Sequence, residues 1–320
     1  MNKEDIASVL EQHNSTILSF PDRGPWGDSR YRGNCSGWVH AFLIWKYNVM
    51  KMAELFAGSG TGSDVCKDMC VPYIGADLNP VPVRRNILSV NAVTDEVPDQ
   101  FRDADFLFMH PPYGSEIGIP YAGAMWRDPD GMLSPSDLGR MPWPQFINTL
   151  NSIIMKYYSA MKNGTRMAIL MGDVRRKGQF HSMLADIVKP GELEQILIKA
   201  QHNCVSNGRT YISHEFVPIQ HEFIMVVKKP NGFNICFNVP QRYDLDIRDS
   251  NSSTWTDVVY AVVQTQEICS LAYIYSKLEN NKKAKKNPHW KEKIRQVLGQ
   301  HPLLFHQYRR GEWSAITPAA

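Results

Sequence analysis

Two short stretches carry residue types and spacings that suit chemistry. The first is Glu54-Leu55-Phe56-Ala57-Gly58-Ser59-Gly60-Thr61-Gly62, which follows an apolar run and precedes a helical one. Glycines let a chain turn sharply and let a ligand approach the backbone amides. Asp77 closes the next apolar run, where a carboxylate can accept both hydroxyls of a ribose. The spacing is not GxGxxG, and no Lys-Ser or Lys-Thr follows the glycines as a phosphate-binding P-loop requires. The turn therefore suits NAD, FAD, S-adenosylmethionine or simply a tight bend. The second stretch is His110-Pro111-Pro112-Tyr113. Two prolines stiffen the turn and remove two N–H donors, which leaves carbonyls free to accept from an amine. His110 offers a neutral imidazole acceptor and Tyr113 an aromatic face. Acceptors beside a stacking ring suit an exocyclic amino group on a planar base; the bland alternative is a rigid loop with a packed tyrosine.

The elements that position these residues follow from hydrophobic periodicity. Strands are expected over 50–56, 71–78, 105–109, 166–171, 193–200 and 222–227, with helices over 61–69 and 144–161. Strands alternating with helices predict an α/β domain with a mostly parallel sheet. The Pro-Asn-Gly and Asp-Ser-Asn-Ser-Ser segments between 230 and 253 read as a boundary. Helices are expected beyond it over 254–265, 270–279 and 288–299, then a short hairpin with Arg309-Arg310-Gly311 at its tip.

Together, the glycine turn and His110-Pro-Pro-Tyr113 resemble the amino-methylating DNA methyltransferases, which modify adenine N6 or cytosine N4. Gly172-Asp173-Val174-Arg175-Arg176-Lys177-Gly178 and the late His221-Glu222-Phe223 are similar to segments of a phage- and plasmid-associated branch of that family. Gly33-Asn34-Cys35-Ser36-Gly37 resembles its extra cofactor element. Glu54 stands where the family usually has Asp, and His110 where it has Asp, Asn or Ser. The resemblance spans roughly 26–230. It implies a Rossmann-like class I methyltransferase sheet and methyl transfer from S-adenosylmethionine to a nitrogen, without a metal. Phe56, Ala57, Gly58, Gly60 and Leu78 would then line the cofactor, with Glu54 acting through its carboxylate. Asp77 would hold the ribose, and Asn34 and Ser36 the methionine end. His110, Pro111, Pro112 and Tyr113 would form the catalytic loop, with the base flipped out of the duplex against Tyr113.

Composition agrees with such a chain. Its 320 residues are 43% hydrophobic and 21% charged, ordinary for a globular protein of one large or one large and one small domain. No apolar run reaches membrane-spanning length, and the start has no secretory pattern. Six scattered cysteines suit free thiols in a reducing compartment. Cys66 and Cys70 lie a helical turn apart, but no second pair completes a metal set.

The net charge of +3 is unevenly placed. From Lys282 to Arg310 there are nine Lys and Arg against one acid, which leaves the rest of the chain with more acids than bases. Such a stretch suits a polyanion or a solvated helix face. The run 287–298 and the late Gly311-Glu312-Trp313 resemble small winged-helix modules, whose third helix lies in the major groove. Lys285, Lys286, Lys291, Lys293, Arg295, Arg309 and Arg310 are the candidate DNA contacts.

The expected organisation is a methyltransferase domain over 1–230, a linker over 231–253 and a winged-helix domain over 254–320. Adenine N6 in double-stranded DNA is the favoured target. Cytosine N4, RNA or a protein glutamine are the alternatives within the same chemistry, and a non-catalytic DNA-binding regulator is the alternative outside it. A cytoplasmic, nucleoid-bound location in a bacterial, phage or plasmid setting is expected, with a homodimer as one permitted state.

Overall fold

A computed structural model describes residues 1–117, 119–202, 217–232, 234–241, 246–250 and 253–316. Cys204, parts of the expected linker (233, 242–245 and 251–252) and residues 317–320 lie outside the described residues. The chain divides into two compact units, Met1–Pro240 and Gln241–Ala320.

The first unit contains, in order, α1 (Lys3–Glu11), β1 (Ile17–Leu18), α2 (Gly37–Tyr47), β2 (Met52–Leu55), α3 (Thr61–Asp68), β3 (Tyr73–Asp77), β4 (Ile87–Ser89), α4 (Asp99–Arg102) and β5 (Phe106–Met109). Then follow α5 (Trp143–Ala160), β6 (Arg166–Met171), β7 (Asp173–Arg176), β8 (Gln179–Ser182), α6 (Met183–Asp186), β9 (Lys189–Pro190), β10 (Glu192–Ala200), β11 (His221–Lys228) and β12 (Phe237–Asn238). Eight strands form one sheet in the order β1-β10-β11-β6-β5-β2-β3-β4. The run β6-β5-β2-β3-β4 is parallel, and β11 runs antiparallel to both β6 and β10. A parallel sheet with one reversed strand next to its last neighbour is the arrangement of a Rossmann-like class I methyltransferase sheet.

The central strands are apolar because both faces are covered. Alternate residues of β2, β5 and β6 feed two cores. Leu55, Leu107, Met109 and Ile169 pack with α5 residues such as Leu150 and Ile154. Met52, Phe106, Phe108 and Leu170 pack with Phe42 and Leu43 of α2 and Val65 of α3.

The expected strands and helices of the glycine-turn, Pro-Pro-Tyr and late regions all form, with ends shifted by one or two residues. Helix α2 was not foreseen. Every residue from Gly37 to Ile44 is buried, so no polar face marks a helical period. The Arg175-Arg176-Lys177 stretch, to which the sequence assigned no element, forms the antiparallel hairpin β7–β8. Its two turn residues, Lys177 and Gly178, have φ of 48° and 79°, the handedness that a two-residue hairpin turn requires.

The second unit contains α7 (Trp255–Val263), β13 (Cys269–Ser270), α8 (Leu271–Leu278), α9 (Lys282–Lys286), α10 (Trp290–Gln300), β14 (Phe305–Arg309) and β15 (Glu312–Ala315). Thr254 caps α7 in a reciprocal box with Asp257. The strands form a small antiparallel sheet in the order β13-β15-β14. Val258 and Val262 of α7, Ile274 of α8, Ile294, Val297 and Leu298 of α10, and Phe305 make its core, with Trp290 and Trp313 packed against it.

Phe108 is fully buried in the middle of the first unit's sheet. Phe108→Ala should cost about 3–5 kcal/mol, measured as a fall in the urea midpoint at an unchanged slope.

Candidate active site

In β2 and β5, Leu55 is the register partner of Met109. The glycine turn and the His-Pro-Pro-Tyr loop therefore leave the sheet side by side at its carboxyl edge. This is the switch point, where the chain has built β3 and β4 to one side and continues with β5 and β6 to the other. The two loops line one cavity of about 330 Å³.

Of the residues singled out in the sequence, Asn34, Glu54, Phe56, Ala57, Gly58, Asp77, Leu78, His110, Pro111, Pro112 and Tyr113 line this cavity. Ser36 and Gly60 do not. Ser36 precedes α2, and its hydroxyl donates to the Arg23 carbonyl at 3.4 Å. Gly60 precedes α3 with a left-handed φ of 79°. The seven candidate DNA contacts all belong to the second unit.

Asp77 stands at the end of β3. Its Oδ2 accepts from the Gly58 amide at 2.8 Å and its Oδ1 from the Asn79 amide at 2.9 Å. The carboxylate thus holds the glycine turn against β3. A carboxylate oxygen has two lone pairs, so each keeps one for a ligand hydroxyl. Burial raises the Asp77 carboxyl above its usual range, and the two amides oppose that. Phe56 leaves β2 at φ 65°, a left-handed conformation that costs an aromatic residue about 1–3 kcal/mol. Asn34 is held by its amide on the Asp28 carbonyl at 2.7 Å and by the Thr61 hydroxyl at 2.6 Å.

Glu54 lies beneath the turn, and its partners were not legible in the sequence. His40 Nε2 meets its Oε1 at 2.8 Å, and the Tyr73 hydroxyl donates to its Oε2 at 2.5 Å. His40 and Glu54 are only 1% and 3% exposed, so their charges must be paired. Burial alone would lower the His40 imidazole, but Glu54, with Cys35 nearby, holds it up at about 10. Gly62 explains the third glycine of the turn. A Cβ there would sit 2.1 Å from Glu54 Oε2, so only glycine lets α3 cover this pair.

The His110-Pro-Pro-Tyr113 loop has its own set of partners. The Tyr113 hydroxyl donates to Glu222 Oε1 at 2.7 Å, and Lys199 Nζ lies 2.5 Å from Glu222 Oε2. His110 Nε2 lies 3.3 Å from the Tyr113 oxygen, with the two rings edge-to-face at 5.8 Å. Burial lowers His110 to about 4, and Lys199 adds to that against the opposing charge of Glu222. Burial would raise Glu222, but Lys199 and Tyr113 hold it down at about 2. The sequence offered one hint of these partners, the His221-Glu222-Phe223 segment.

Tyr31 and Tyr121, also unforeseen, stack at 6.0 Å on the cavity wall. Buried Asp137 fixes the loop of Tyr121 by accepting from the Tyr121, Ala122 and Gly139 amides at 2.7–2.9 Å. The arrangement offers a hydroxyl-binding carboxylate at one end and neutral acceptors beside a fixed ring at the other.

In the second unit, Lys285, Lys286, Lys291, Arg295, Arg309 and Arg310 are exposed and Lys293 is half-buried. Arg295 pairs with Glu292 at 2.9 Å and Arg309 with Glu312 at 2.6 Å. Among the described residues, no group of three or more His, Cys, Asp and Glu could hold a metal ion, and no helix is long and apolar enough to cross a membrane.

No protein-family model matches the chain, and no curated protein matches it. Among solved structures it is similar to TrmN from Thermus thermophilus, at 15% identity over 62% of this chain and 50% of that one, with a TM-score of 0.37. The chain thus covers about half the length of that structure. It is also similar to a precorrin-6y C5,15-methyltransferase from Geobacter metallireducens, at 14% identity over 67% and 98% with a TM-score of 0.30. A third is the 1,6-didemethyltoxoflavin-N1-methyltransferase of Burkholderia thailandensis, at 10% identity over 72% and 87% with a TM-score of 0.33. The strand order described above is what defines the fold.

The buried pairs set a pH profile for stability. His40 is raised from the ordinary 6.5, so its contribution is complete below about pH 6.5 and is lost as pH rises through about 10. His110 is lowered, so the unfolded chain takes up its proton first and stability falls as pH drops from about 6.5 to about 4. Glu222 is also lowered, and its contribution is lost as pH falls from about 4.5 through about 2. Urea midpoints measured from pH 4 to pH 10 should peak close to pH 6.5, and His40→Gln should flatten the alkaline side of the curve.

Proposed function

We propose that this chain is an S-adenosylmethionine-dependent methyltransferase that acts on the N6 amine of adenine in duplex DNA, with the target base flipped into the cavity. One observation carries the reading: the glycine turn with Asp77 and the His110-Pro-Pro-Tyr113 loop open into the same cavity from adjacent parallel strands. A donor held on the turn and an amine held by the loop would then face each other.

The residues present fit the cofactor. Asp77 keeps a lone pair on each oxygen for the ribose, and Phe56, Ala57, Gly58 and Leu78 line the space beside it. Asn34 serves the methionine end. Ser36 and Gly60 are not among the residues that line the cavity. When bound, S-adenosylmethionine supplies an electrophilic methyl group on a sulfonium sulfur.

An exocyclic amine on adenine is a poor nucleophile, because its lone pair is delocalised into the ring. Acceptors at His110 and at the Pro111 carbonyl would take its N–H groups and pull the nitrogen toward tetrahedral geometry, which aims the lone pair at the methyl. The rate gain comes from orientation and preorganised acceptors. Tyr113, tethered through its hydroxyl, offers the ring face to the base.

The second unit is proposed to be a winged-helix module that grips the duplex. Its helices, small sheet and basic α10 support this reading, with Lys291 and Arg295 exposed on α10 and Arg310 in the turn of the hairpin. Contacts from such residues to phosphates give sequence-independent, salt-dependent affinity.

Three measurements test these roles. Duplexes of varied sequence incubated with the protein and S-adenosylmethionine, then digested to nucleosides for mass analysis, should contain N6-methyladenine. N4-methylcytosine alone would move the target base, and neither product would end the reading. Calorimetric titration should show S-adenosylmethionine binding that weakens by at least about tenfold in Asp77→Ala, as expected for losing hydrogen bonds to a charged group. The pair Lys291→Ala and Arg295→Ala together should weaken duplex binding across all sequences and lower the salt slope by about 2.

A further inference from the structure

We infer that Glu222 and Lys199, acting through Tyr113, set the tautomer of His110 so that its Nδ1 is the bare nitrogen that accepts from the substrate amine. The inference rests on the methyltransferase reading for the identity of that amine, but the tautomer itself follows from the hydrogen-bond chain alone.

Lys199 and Glu222 are register partners across the antiparallel pair β10–β11. Their side chains are 16% and 9% exposed, and both line the cavity with Tyr113 and His110. The direction of the chain is fixed from its charged end. A lysine ammonium has donors and no acceptor, and an ionised carboxylate has acceptors and no donor. Lys199 therefore donates to Glu222 Oε2 at 2.5 Å, and Oε1, 2.7 Å from the Tyr113 oxygen, can only accept. A tyrosine hydroxyl has one proton, which is spent on Glu222. Its oxygen has only lone pairs to offer His110 Nε2 at 3.3 Å.

For that contact to be a hydrogen bond, Nε2 must carry the proton. A neutral imidazole has one N–H, so Nδ1 is left with a bare lone pair, on a residue that lines the cavity. Burial keeps the ring neutral, with its pKa lowered to about 4. Without the chain, either tautomer would be open to His110, and one of the two would present a donor to the amine. Glu222 and Lys199 are thus positioning residues, since their effect on the substrate passes through another side chain.

The chain can be reversed by one isosteric change. In Glu222→Gln the amide oxygen stays on the Lys199 ammonium, which cannot accept. The amide nitrogen then faces Tyr113 and donates to it. The tyrosine proton turns to His110 Nε2, and the imidazole proton moves to Nδ1.

The test is nitrogen NMR on the full chain labelled with 15N in histidine, with the His110 signals assigned by their loss in His110→Asn. Wild type should show a protonated Nε2 and a bare Nδ1 for His110. Glu222→Gln should exchange the two, lower the methylation kcat by at least tenfold and leave S-adenosylmethionine affinity within twofold. Tyr113→Phe, which removes one hydroxyl, gives a second route should Glu222→Gln fail to fold; it should replace the single tautomer by a mixture. A proton on Nδ1 in wild type, or a His110 spectrum unchanged by both variants, would overturn the inference. The spectra need no turnover: the expected tautomer in a protein that methylates nothing would refute the functional reading and leave the hydrogen-bond chain standing.

Discussion

Parallel pairing of β2 with β5, with Leu55 opposite Met109, is the constraint on which the rest of the site depends. A parallel pair sends both strands out at the same edge, so the loops that follow must lie together. Had β5 joined the sheet beyond β4, or in the opposite direction, the glycine turn and the Pro-Pro-Tyr loop would be far apart. The pairing is secured by burial on both faces. All four residues of β2 and all four of β5 are buried, and their alternate side chains lock into the two cores on either side of the sheet.

Around that edge two buried carboxylates are each held by a basic side chain and a tyrosine hydroxyl. Glu54 has His40 and Tyr73, and Glu222 has Lys199 and Tyr113. Desolvating a charge is costly, and a partner at hydrogen-bond distance is what makes it tolerable. The two carboxylates serve different ends of the cavity. Glu54 is clamped under the glycine turn, where Gly62 leaves room for it. Glu222 anchors the Tyr113 ring of the Pro-Pro-Tyr loop. Asp77 differs from both, for it is satisfied by backbone amides and keeps accepting capacity for a ligand.

The second unit follows another logic. It closes a small core of its own with Val, Ile, Leu and aromatic side chains, and leaves most of its basic side chains exposed. The pairs Arg295–Glu292 and Arg309–Glu312 are exposed, and such pairs add little to stability.

The local features were legible in the sequence because local chemistry determines them. Glycines after an apolar run make a turn, two prolines stiffen a loop, and continuous apolar runs make central strands, so β2, β3, β5 and β6 and the two loops could be read from spacing alone. Three helices of the second unit, α7, α8 and α10, were equally plain. Helix α2 was not, since burial on nearly all sides erased its period, and the β7–β8 hairpin hid in a polar run. The partners in the site were decided only by the tertiary structure. Glu222 lies 109 residues from Tyr113, and Glu54 lies 14 from His40 and 19 from Tyr73. No periodicity links such positions. They meet because sheet order and register bring β11 beside β6 and β10, and because α2 packs over β2, and only that packing makes one carboxylate a clamp and the other an anchor.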